Sequence, residues 1–229
     1  MEGVEALMRH VYVFPIVGLV LGGILGALAF TLERFLPMSL VAVIIIALVY
    51  KLCGINHIDG LADFGDGVIA HGPVEKKIQA MKDVHIGTGG VVFIALALLA
   101  LYAVLVPMPS QILPMALIAA EVSAKEAMIC FAAFSTSLQK GFGQMMIERT
   151  GPKHFAIGLI ISAIFCYVIL GPLGLACLAV SQIGALYMIS VAKRNFGGAT
   201  GDGIGASNEI CRIAALATAL GGALSWMPW

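Results

Sequence analysis

The chain has 229 residues, of which 60% are hydrophobic and 11% are charged, and its formal net charge is zero. A soluble domain of this length has too little interior to hide so much apolar surface. The neutral balance, without a basic stripe interleaved with aromatic residues, excludes a typical nucleic-acid-binding protein. The composition therefore predicts an all-α, polytopic integral membrane protein in which residues 1–229 form one transmembrane helical domain in a lipid bilayer.

Seven apolar stretches approach the roughly 20 residues that a helix needs to cross a bilayer. In chain order they cover residues 11–31, 38–54, 87–106, 111–134, 155–170, 173–192 and 210–226. In the first stretch, the spacing of Gly22 and Gly26 would let another helix approach closely, although small residues are common in membrane helices without such a contact. The hydropathy thus predicts about seven transmembrane helices.

Basic residues predict the orientation of these spans. If the N-terminus faces the cytoplasm, Arg34 is the only lysine or arginine on the outer side, and the connections at 107–110 and 171–172 carry none. The positive-inside rule then predicts a multi-pass protein of the cytoplasmic (inner) cell membrane, with N-terminus in, C-terminus out, and polar loops 54–86 and 193–209 in the cytoplasm. The basic residues of the inner side are Arg9, Lys51, Lys76, Lys77, Lys82, Lys140, Arg149, Lys153, Lys193, Arg194 and Arg212.

An acidic segment follows the second span and reads Asn-His-Ile-Asp-Gly-Leu-Ala-Asp-Phe-Gly-Asp-Gly over residues 56–67. Read as a helix at about 100° per residue, it places Asp59, Asp63 and Asp66 within an arc of roughly 60°. Three like charges repel one another unless they share a cation, and hard oxygen ligands suit Mg²⁺. The pattern predicts a Mg²⁺ site. The alternative is that these acids cap helices or turns, as Asp-Gly pairs often do.

The depth of the acidic segment also follows from the helical rise. A helix that begins at Met38 and rises 1.5 Å per residue covers about 30 Å near Ile58, which is the thickness of the hydrocarbon core. Asp59 is therefore expected at the membrane interface.

The glycine-rich segment 193–209 is a second candidate site. Its glycines would let backbone amides approach an anion, and Lys193 and Arg194 could neutralise that anion. Asp202 and Glu209 are seven residues apart and would share one face of a helix. The glycine spacing matches neither a Walker A loop nor a dinucleotide-binding fingerprint. Contact with a phosphate is therefore predicted from two acidic, glycine-rich cytoplasmic loops together, not from this segment alone.

Three ionisable residues, Glu121, Lys125 and Glu126, lie inside the fourth span. One interpretation is that they line a path for an ion or a polar substrate. The other is that Glu121 and Lys125, four residues apart, form an ion pair inside the bundle. Among the histidines, only His57 beside the acidic face is predicted to be functional.

Five motifs follow one another along the chain: Phe14-Pro15-x-x-Gly18, the acidic segment 56–67, Met81-Lys82-Asp83, Gly87-x-x-Gly90 and Thr200-Gly201-Asp202-x-x-Gly205-Ala206-x-x-Glu209. Taken together they resemble the cobalamin 5′-phosphate synthase family, also called adenosylcobinamide-GDP ribazoletransferase. The resemblance covers essentially the whole chain in order. Three departures are His71, His85 and Lys125, the last of which stands where an arginine is expected.

The resemblance implies a reaction and its substrates. A ribose hydroxyl of α-ribazole, or of its 5′-phosphate, would attack the phosphorus attached to the cobinamide arm of adenosylcobinamide-GDP and expel GMP, giving adenosylcobalamin or its 5′-phosphate. Phosphoryl transfer of this kind asks mainly for positioning and for neutralisation of charge, which Mg²⁺ on a diphosphate supplies.

The same resemblance assigns expected roles to named residues. Asp59, Asp63 and Asp66 are expected to bind Mg²⁺, and the catalytic residues are expected to be Asp63, His57 and Asp83, the last completing the metal site or acting as base. Lys82, Lys193 and Arg194 are expected to hold phosphates. Asp202, Asn208 and Glu209 are expected to bind a second metal or the ribazole.

Two other classes of protein stay open from the sequence. A transporter of an ion or small solute would use Glu121, Lys125 and Glu126 and would tolerate the change Asp63→Asn, whereas the transferase would not. A purely structural membrane subunit would tolerate changes at both places. A homo-oligomer is compatible with either class.

Overall fold

A computed structural model describes residues 10–138 and 142–226. In that part the chain forms nine α-helices after a short 3₁₀ turn at Val11–Val13, and it contains no β-strand, only an isolated bridge between Ser137 and Ala199. The all-α prediction is therefore confirmed. The helices are α1 (Phe14–Leu32), α2 (Met38–Cys53), α3 (Asn56–Ile69), α4 (Val74–Met81), α5 (Thr88–Leu105), α6 (Leu113–Ala133), α7 (Phe142–Arg149), α8 (Pro152–Phe196) and α9 (Gly201–Trp226).

Several of these helices are suited to a membrane. Three helical stretches of the described chain, Val11–Leu32, Thr88–Leu105 and Pro152–Phe196, are long and apolar enough to cross a bilayer. A fourth qualifies if α2 and α3 are counted together as one bent span. These helices agree with the predicted membrane protein, whereas the count of seven spans and their orientation stay predictions. Of the basic residues used for orientation, Arg9 and Lys140 lie outside the described residues.

Helix α8 reverses direction at Gly171. This glycine has φ 58° and ψ −143°, and Pro172 follows it. A Cβ added at Gly174 would clash with the carbonyl oxygen of Cys166, although eight residues of a continuous helix would separate these atoms by about 12 Å. The two halves of α8 therefore pack against each other as a hairpin, which agrees with the predicted division between residues 170 and 173.

Helices α2 and α3 meet at a sharp bend. Gly54 has φ 81° and ψ 153°, a conformation that favours glycine, and the two helix axes differ by 95°. The prediction of a helix that continues from Met38 through Asp59 is therefore wrong. Helix α3 thus turns away from α2 at this glycine and lies outside the predicted span 38–54.

The predicted loops contain a large share of helix. Residues 54–86 form α3 and α4 joined by a turn, and residues 193–209 comprise the end of α8, a connection and the start of α9. Gly197 ends α8 in the left-handed conformation with φ 83°. The helical interpretation of residues 56–67 agrees with α3, and that of Asp202 and Glu209 agrees with the start of α9, whereas the cytoplasmic position of both segments stays a prediction.

Helix α6 lies at the centre of the bundle and packs against α1, α8 and α9. The close approach predicted from glycine spacing is confirmed for α1. A Cβ added at Gly22 would lie 2.6 Å from the Cα of Ile118, and one added at Gly26 would lie 2.7 Å from the carbonyl oxygen of Pro114. The glycines let the two backbones touch, as small residues do between membrane helices.

Candidate active site

The candidate site forms where α3 crosses α9. A Cβ added at Gly60 would lie 3.0 Å from both the Cα and the carbonyl oxygen of Asp202, and one added at Gly205 would lie 3.2 Å from the Cα of His57. The two glycines therefore let the helix backbones meet. This crossing brings the acidic face of α3 next to the first turn of α9, so residues far apart in the sequence share one site.

A cavity of about 300 Å³ opens at this crossing. Helix α7 covers one side of it, and the N-terminal turn of α9 forms another. Asp59 and Asp202 supply its carboxylates, and His57 supplies an imidazole. Its lining residues are Asn56, His57, Asp59, Met128, Gly143, Met146, Gly201, Asp202, Ile204 and Gly205.

Asp63 lies one helical turn beyond Asp59, where several other carboxylates repel its negative charge. Burial raises its pKa first, and the charges of Asp202, Asp59 and Asp66 raise it further, to about 6. The pKa of Asp202 is also raised, chiefly by burial and in part by Asp59, while Lys82 opposes that shift. A shared cation would relieve this repulsion. The structure thus brings together Asp59, Asp63 and Asp202, of which the first two were predicted as metal ligands.

Asp66 has a different partner from the other two acids of α3. Its two carboxylate oxygens accept hydrogen bonds from the backbone N–H groups of Gly87, at 2.7 Å, and Gly90, at 2.8 Å. Those N–H groups belong to the start of α5 and have no partner within the helix, so Asp66 caps α5. The geometry therefore favours the alternative that an acid of this segment caps a helix, for Asp66 alone.

Asp83, expected to complete the metal site or act as base, lies on an exposed turn after α4. Its Oδ1 accepts hydrogen bonds from the backbone N–H of His85, at 2.9 Å, and contacts His85 Nδ1 at 3.0 Å. These bonds, the one from the backbone first, hold the pKa of Asp83 below its usual value. Asp83 is not among the residues that line the cavity.

The three cations expected to hold phosphates are not placed together. Lys82 is exposed and close enough to Asp202 to influence its pKa. Lys193 lines a separate cavity of about 110 Å³ beside Ser135 and Gly198. Arg194 is exposed, and its Nε donates to the carbonyl oxygen of Ser190 at 3.3 Å. Of the three, only Lys82 is close enough to influence the pKa of a carboxylate where α3 crosses α9, a place called the acidic crossing below.

No group of three or more His, Cys, Asp or Glu side chains in the described residues is arranged to hold a metal ion by itself. Mg²⁺ usually keeps several waters and is bound through one or two carboxylates together with substrate phosphates. Two or three crowded carboxylates beside an open cavity fit that mode of binding, and a closed protein cage is not needed.

Beneath the cavity lies a buried network of four charged side chains. Glu121 of α6 accepts from Nε of Arg212, and Glu209 accepts from Nη1 of Arg212 at 2.6 Å. Lys125 lies 3.7 Å from Glu121. All four side chains are nearly inaccessible to solvent, and two negative charges face two positive ones. The predicted pairing of Glu121 with Lys125 is present, but the closer partner of Glu121 is Arg212.

Asn208 joins this network to the cavity. Its Oδ1 accepts from Lys125 Nζ at 2.7 Å, and its Nδ2 donates to Glu209 Oε1 at 3.0 Å and lies 3.3 Å from His57 Nδ1. Burial, and then the charges of Lys125 and Arg212, lower the pKa of His57 to about 3. Asn208 and Glu209, expected to bind a metal or the ribazole, are thus buried among protein partners, while His57 reaches the cavity.

Sequence reasoning missed Arg212 and two of its neighbours. Arg212 is one of the basic residues predicted for the inner side of the membrane, yet it is buried inside the bundle and 1% exposed. The available signals were its position inside a predicted span and its spacing of three residues from Glu209. Tyr50 donates to Glu209 at 3.2 Å and Cys53 to Glu121 at 3.8 Å, and neither contact has a signal in the sequence.

Glu126 is separate from this network. Ser162 donates to its Oε2 at 3.4 Å, and its Oε1 has no hydrogen-bond partner among the described residues. It faces the first half of α8, so the three ionisable residues of α6 do not form one continuous path.

Comparison with known proteins gives a consistent result. A model of the cobalamin-5-phosphate synthase family matches residues 2–220. A protein of Methanocella arvoryzae named adenosylcobinamide-GDP ribazoletransferase is 42% identical over 97% of this chain and 89% of that protein. Proteins of the same name from Methanosarcina mazei and Methanococcoides burtonii are 40% and 38% identical, each over 94% of this chain and over 84% and 83% of their own lengths.

No solved structure matches the chain. The family match covers nearly all of the described residues, and it includes both the acidic crossing and the buried network. The chain belongs to the cobalamin-5-phosphate synthase family.

Proposed function

We propose that this protein is a membrane-bound transferase that joins α-ribazole, or its 5′-phosphate, to adenosylcobinamide-GDP and releases GMP. The observation that carries the proposal is the crossing of α3 and α9, which places Asp59 and Asp202 at a cavity and brings Asp63 close enough to interact with both of their charges. The names of the relatives support the same substrates.

In the reaction, the oxygen of a ribose hydroxyl forms a bond to the phosphorus attached to the cobinamide arm. The bond between that phosphorus and the oxygen of the GMP phosphate breaks, and GMP leaves with the electron pair. The hydroxyl proton passes to a carboxylate of the site or to solvent. The protein has little covalent work to do, so positioning and charge neutralisation carry the rate enhancement.

Mg²⁺ is the cofactor proposed for this site. The pKa of Asp63, raised to about 6 first by burial and then by the charges of Asp202, Asp59 and Asp66, supports this proposal, because a bound cation would offset the repulsion among these carboxylates. Asp59, which lines the cavity, would be the third ligand or would bind a metal-bound water. When bound, Mg²⁺ would neutralise the charge of the diphosphate and of the departing GMP.

The N-terminus of α9 adds a second source of positive potential. A helix N-terminus presents unpaired N–H groups to an anion, and Gly201 and Asp202 of this first turn line the cavity. The hydroxyl of Thr200 accepts from the N–H of Gly203 at 3.2 Å, so this capping bond fixes the start of the helix. Lys82 lies nearby as an exposed cation.

The size of the cavity agrees with a site for the reacting end of the substrate only. Pockets for drug-sized ligands begin at about 300 Å³, and the observed volume is about 300 Å³. The diphosphate and a ribose would fill it, while the corrin ring would lie outside. We propose that the site faces the cytoplasm, with the N-terminus in and the C-terminus out, and that the protein resides in the inner cell membrane.

The transporter alternative is not supported. Glu121, Glu209, Lys125 and Arg212 are buried and paired with one another, so their charges are satisfied within the bundle and do not line an open path. Glu126 lies apart from them. The acidic crossing, which a transporter would leave unused, is the feature with an open cavity.

The proposal is tested by GMP release. Purified protein in detergent is given adenosylcobinamide-GDP, α-ribazole 5′-phosphate and Mg²⁺, in parallel with Asp63→Asn, Asp202→Asn and an excess of EDTA. We expect release that needs both substrates, stops with EDTA and falls at least 100-fold in either variant. Release by the wild type that is equal with and without EDTA would reject the magnesium site, and no release by folded wild type would reject the reaction.

A further inference from the structure

We infer that Lys125 and Asn208 are positioning residues that hold His57 in a single tautomer, so that its Nε2–H donates a hydrogen bond to the substrate in the cavity between α3 and α9. This inference rests on the proposed transferase function for its kinetic test. Its structural part is independent of that function. It also gives the buried network a role in the reaction.

The orientation of the Asn208 amide is determined by two neighbours. Lys125 Nζ carries only donors, so the atom 2.7 Å from it must be the amide oxygen. Glu209 Oε1 accepts from Arg212 Nη1 and lies 3.0 Å from Asn208, so its amide neighbour must be the NH₂ group. The two requirements agree, and a flipped amide would violate both of them.

The amide orientation then determines the tautomer of His57. The NH₂ group of Asn208 has two hydrogens, one directed to Glu209 and the other to His57 Nδ1 at 3.3 Å. Nδ1 must accept that hydrogen bond, so it carries no proton. The imidazole is therefore neutral, and its proton resides on Nε2.

The second ring nitrogen is left for the substrate. His57 lines the cavity, and within the described residues no hydrogen-bond partner lies at its Nε2. An Nε2–H at this place is a donor to an oxygen that carries negative charge, and the diphosphate supplies such oxygens. A donor that is fixed in advance needs no reorganisation when charge develops during the reaction.

The arrangement is rigid because its charged side chains are buried and paired with one another. Lys125 is 5% exposed and Glu209 is 1% exposed, and Arg212 ties Glu209 to Glu121. A buried charge that loses its partner is strongly destabilising, so no charged member of the network turns away alone. The state of His57 at the cavity is thereby coupled to charges buried inside the bundle.

The first test reads the tautomer directly. Protein labelled with ¹⁵N in the imidazole of its five histidines is studied by solid-state NMR in lipid, and the His57 signals are assigned by their loss in His57→Gln. We expect one protonated and one unprotonated nitrogen, with the proton on Nε2. A proton on Nδ1, or a mixture of both tautomers, would overturn the inference.

Asn208→Asp tests the coupling, because a carboxylate at this position accepts from Nδ1–H and draws the proton away from Nε2. We expect the tautomer to change and kcat to fall about 100-fold, as for loss of a donor to developing charge, with little change in KM. Lys125→Met is the second variant, in case Asn208→Asp does not fold. Without the lysine only Glu209 orients the amide, so a partial shift from the Nε2–H to the Nδ1–H tautomer is expected.

Rescue and control variants complete the design. The amide NH₂ of His57→Gln can stand where Nε2–H stood, so this variant should keep at least one-tenth of kcat, whereas His57→Ala should lose about 100-fold. Lys51→Gln removes an exposed lysine at the end of α2 and should leave kcat and the tautomer unchanged. Equal losses in the Gln and Ala variants, or an unchanged tautomer in Asn208→Asp, would reject the inference.

Failure of the two proposals can be told apart. If wild-type protein releases no GMP, the transferase function fails. The tautomer of His57 in the wild type and in Asn208→Asp still decides whether Lys125 and Asn208 hold His57 in one tautomer. If wild-type protein is active and its His57 carries the proton on Nδ1, the transferase function is supported and the inference about Lys125 and Asn208 is rejected.

Discussion

Burial and the neighbouring charge of Asp202 on α9 together raise the pKa of Asp63 on α3 to about 6. The two residues are brought side by side by the close contact at Gly60, not by the sequence of either helix. At neutral pH the folded protein therefore holds two negative charges closer together than the unfolded chain does. This strain is characteristic of a functional site.

Removal of the charge at position 63 should stabilise the protein and inactivate it. Asn has the shape of Asp without its charge, so Asp63→Asn relieves the repulsion from Asp202 and removes a proposed metal ligand. Because Asp63 is only half-buried and solvent screens the repulsion, we expect a rise in Tm of only about 2–4 °C at pH 7.5 without Mg²⁺. Thermal unfolding in detergent and GMP release measure the two effects.

The stability gain should depend on pH in one direction. The pKa of Asp63 is raised in the folded protein, so the folded state binds more protons than the unfolded state between the usual aspartate pKa of about 4 and the shifted value of about 6. Wild-type stability should rise as pH falls through that window. The advantage of Asp63→Asn should accordingly be largest above pH 6 and vanish near pH 4. An advantage that is constant with pH would contradict the assignment.

Removal of the carboxylate at position 66 should destabilise the protein, in contrast to removal of the charge at position 63. Its carboxylate caps α5 through Gly87 and Gly90, so Asp66→Ala should lower stability by about 2 kcal/mol, the contribution of hydrogen bonds to a charged group. The protein that remains folded at low temperature should keep its dependence on Mg²⁺. Thermal unfolding and Mg²⁺ titration of GMP release check this. Loss of the response to Mg²⁺ with unchanged Tm would return Asp66 to the metal site.

Parts of the site that depend on local geometry could be predicted from the sequence. The helical period of residues 56–67 places Asp59 and Asp63 on one face, because positions four apart on a helix are neighbours. The apolar runs likewise predict where the helices lie. The break at Gly171 follows from a Gly-Pro pair between two such runs.

The remainder depends on contacts between distant residues. Asp66 falls on the same predicted arc as Asp63, yet its partners Gly87 and Gly90 are 21 and 24 residues away. Arg212 reaches Glu121 across 91 positions of sequence. Helical periodicity gives the face of a residue but not the element opposite, so a cap, a metal ligand and a buried ion pair have the same pattern until the helices pack.

Loss of one partner of the pair formed by Glu121 and Arg212 should destabilise the protein strongly, and loss of the second partner should restore part of that stability. Arg212→Met leaves two buried carboxylates with one cation, and loss of a partner in a buried pair costs about 3–5 kcal/mol. Glu121→Gln combined with Arg212→Met removes one charge of each sign and should recover about 1–3 kcal/mol relative to the sum of the single changes. A double-mutant cycle on thermal unfolding measures this coupling. Strictly additive losses would show that the two side chains do not interact.

The contact between α3 and α9 can be loosened by one methyl group. A Cβ added at Gly60 lies 3.0 Å from the backbone of Asp202, whereas a Cβ added at Gly23 of α1 meets no atom within 4 Å. Gly60→Ala should push the two helices apart by a few tenths of an ångström and move Asp202 away from Asp59 and Asp63. Since small misplacements at a reacting centre have large kinetic effects, we expect GMP release to fall about 10-fold or more.

Gly23→Ala is the matched control, because it makes the same chemical change in a helix without a clash. It should leave activity unchanged and raise stability by about 0.5–1 kcal/mol, since alanine costs less conformational entropy in a helix than glycine does. Titration of GMP release with Mg²⁺ should show weaker apparent metal binding in Gly60→Ala and not in Gly23→Ala. Equal activity and equal metal response in the two variants would mean that the distance between α3 and α9 does not set the site. A loss confined to Gly60→Ala, with its metal response weakened, would place the reacting phosphate between the two helices.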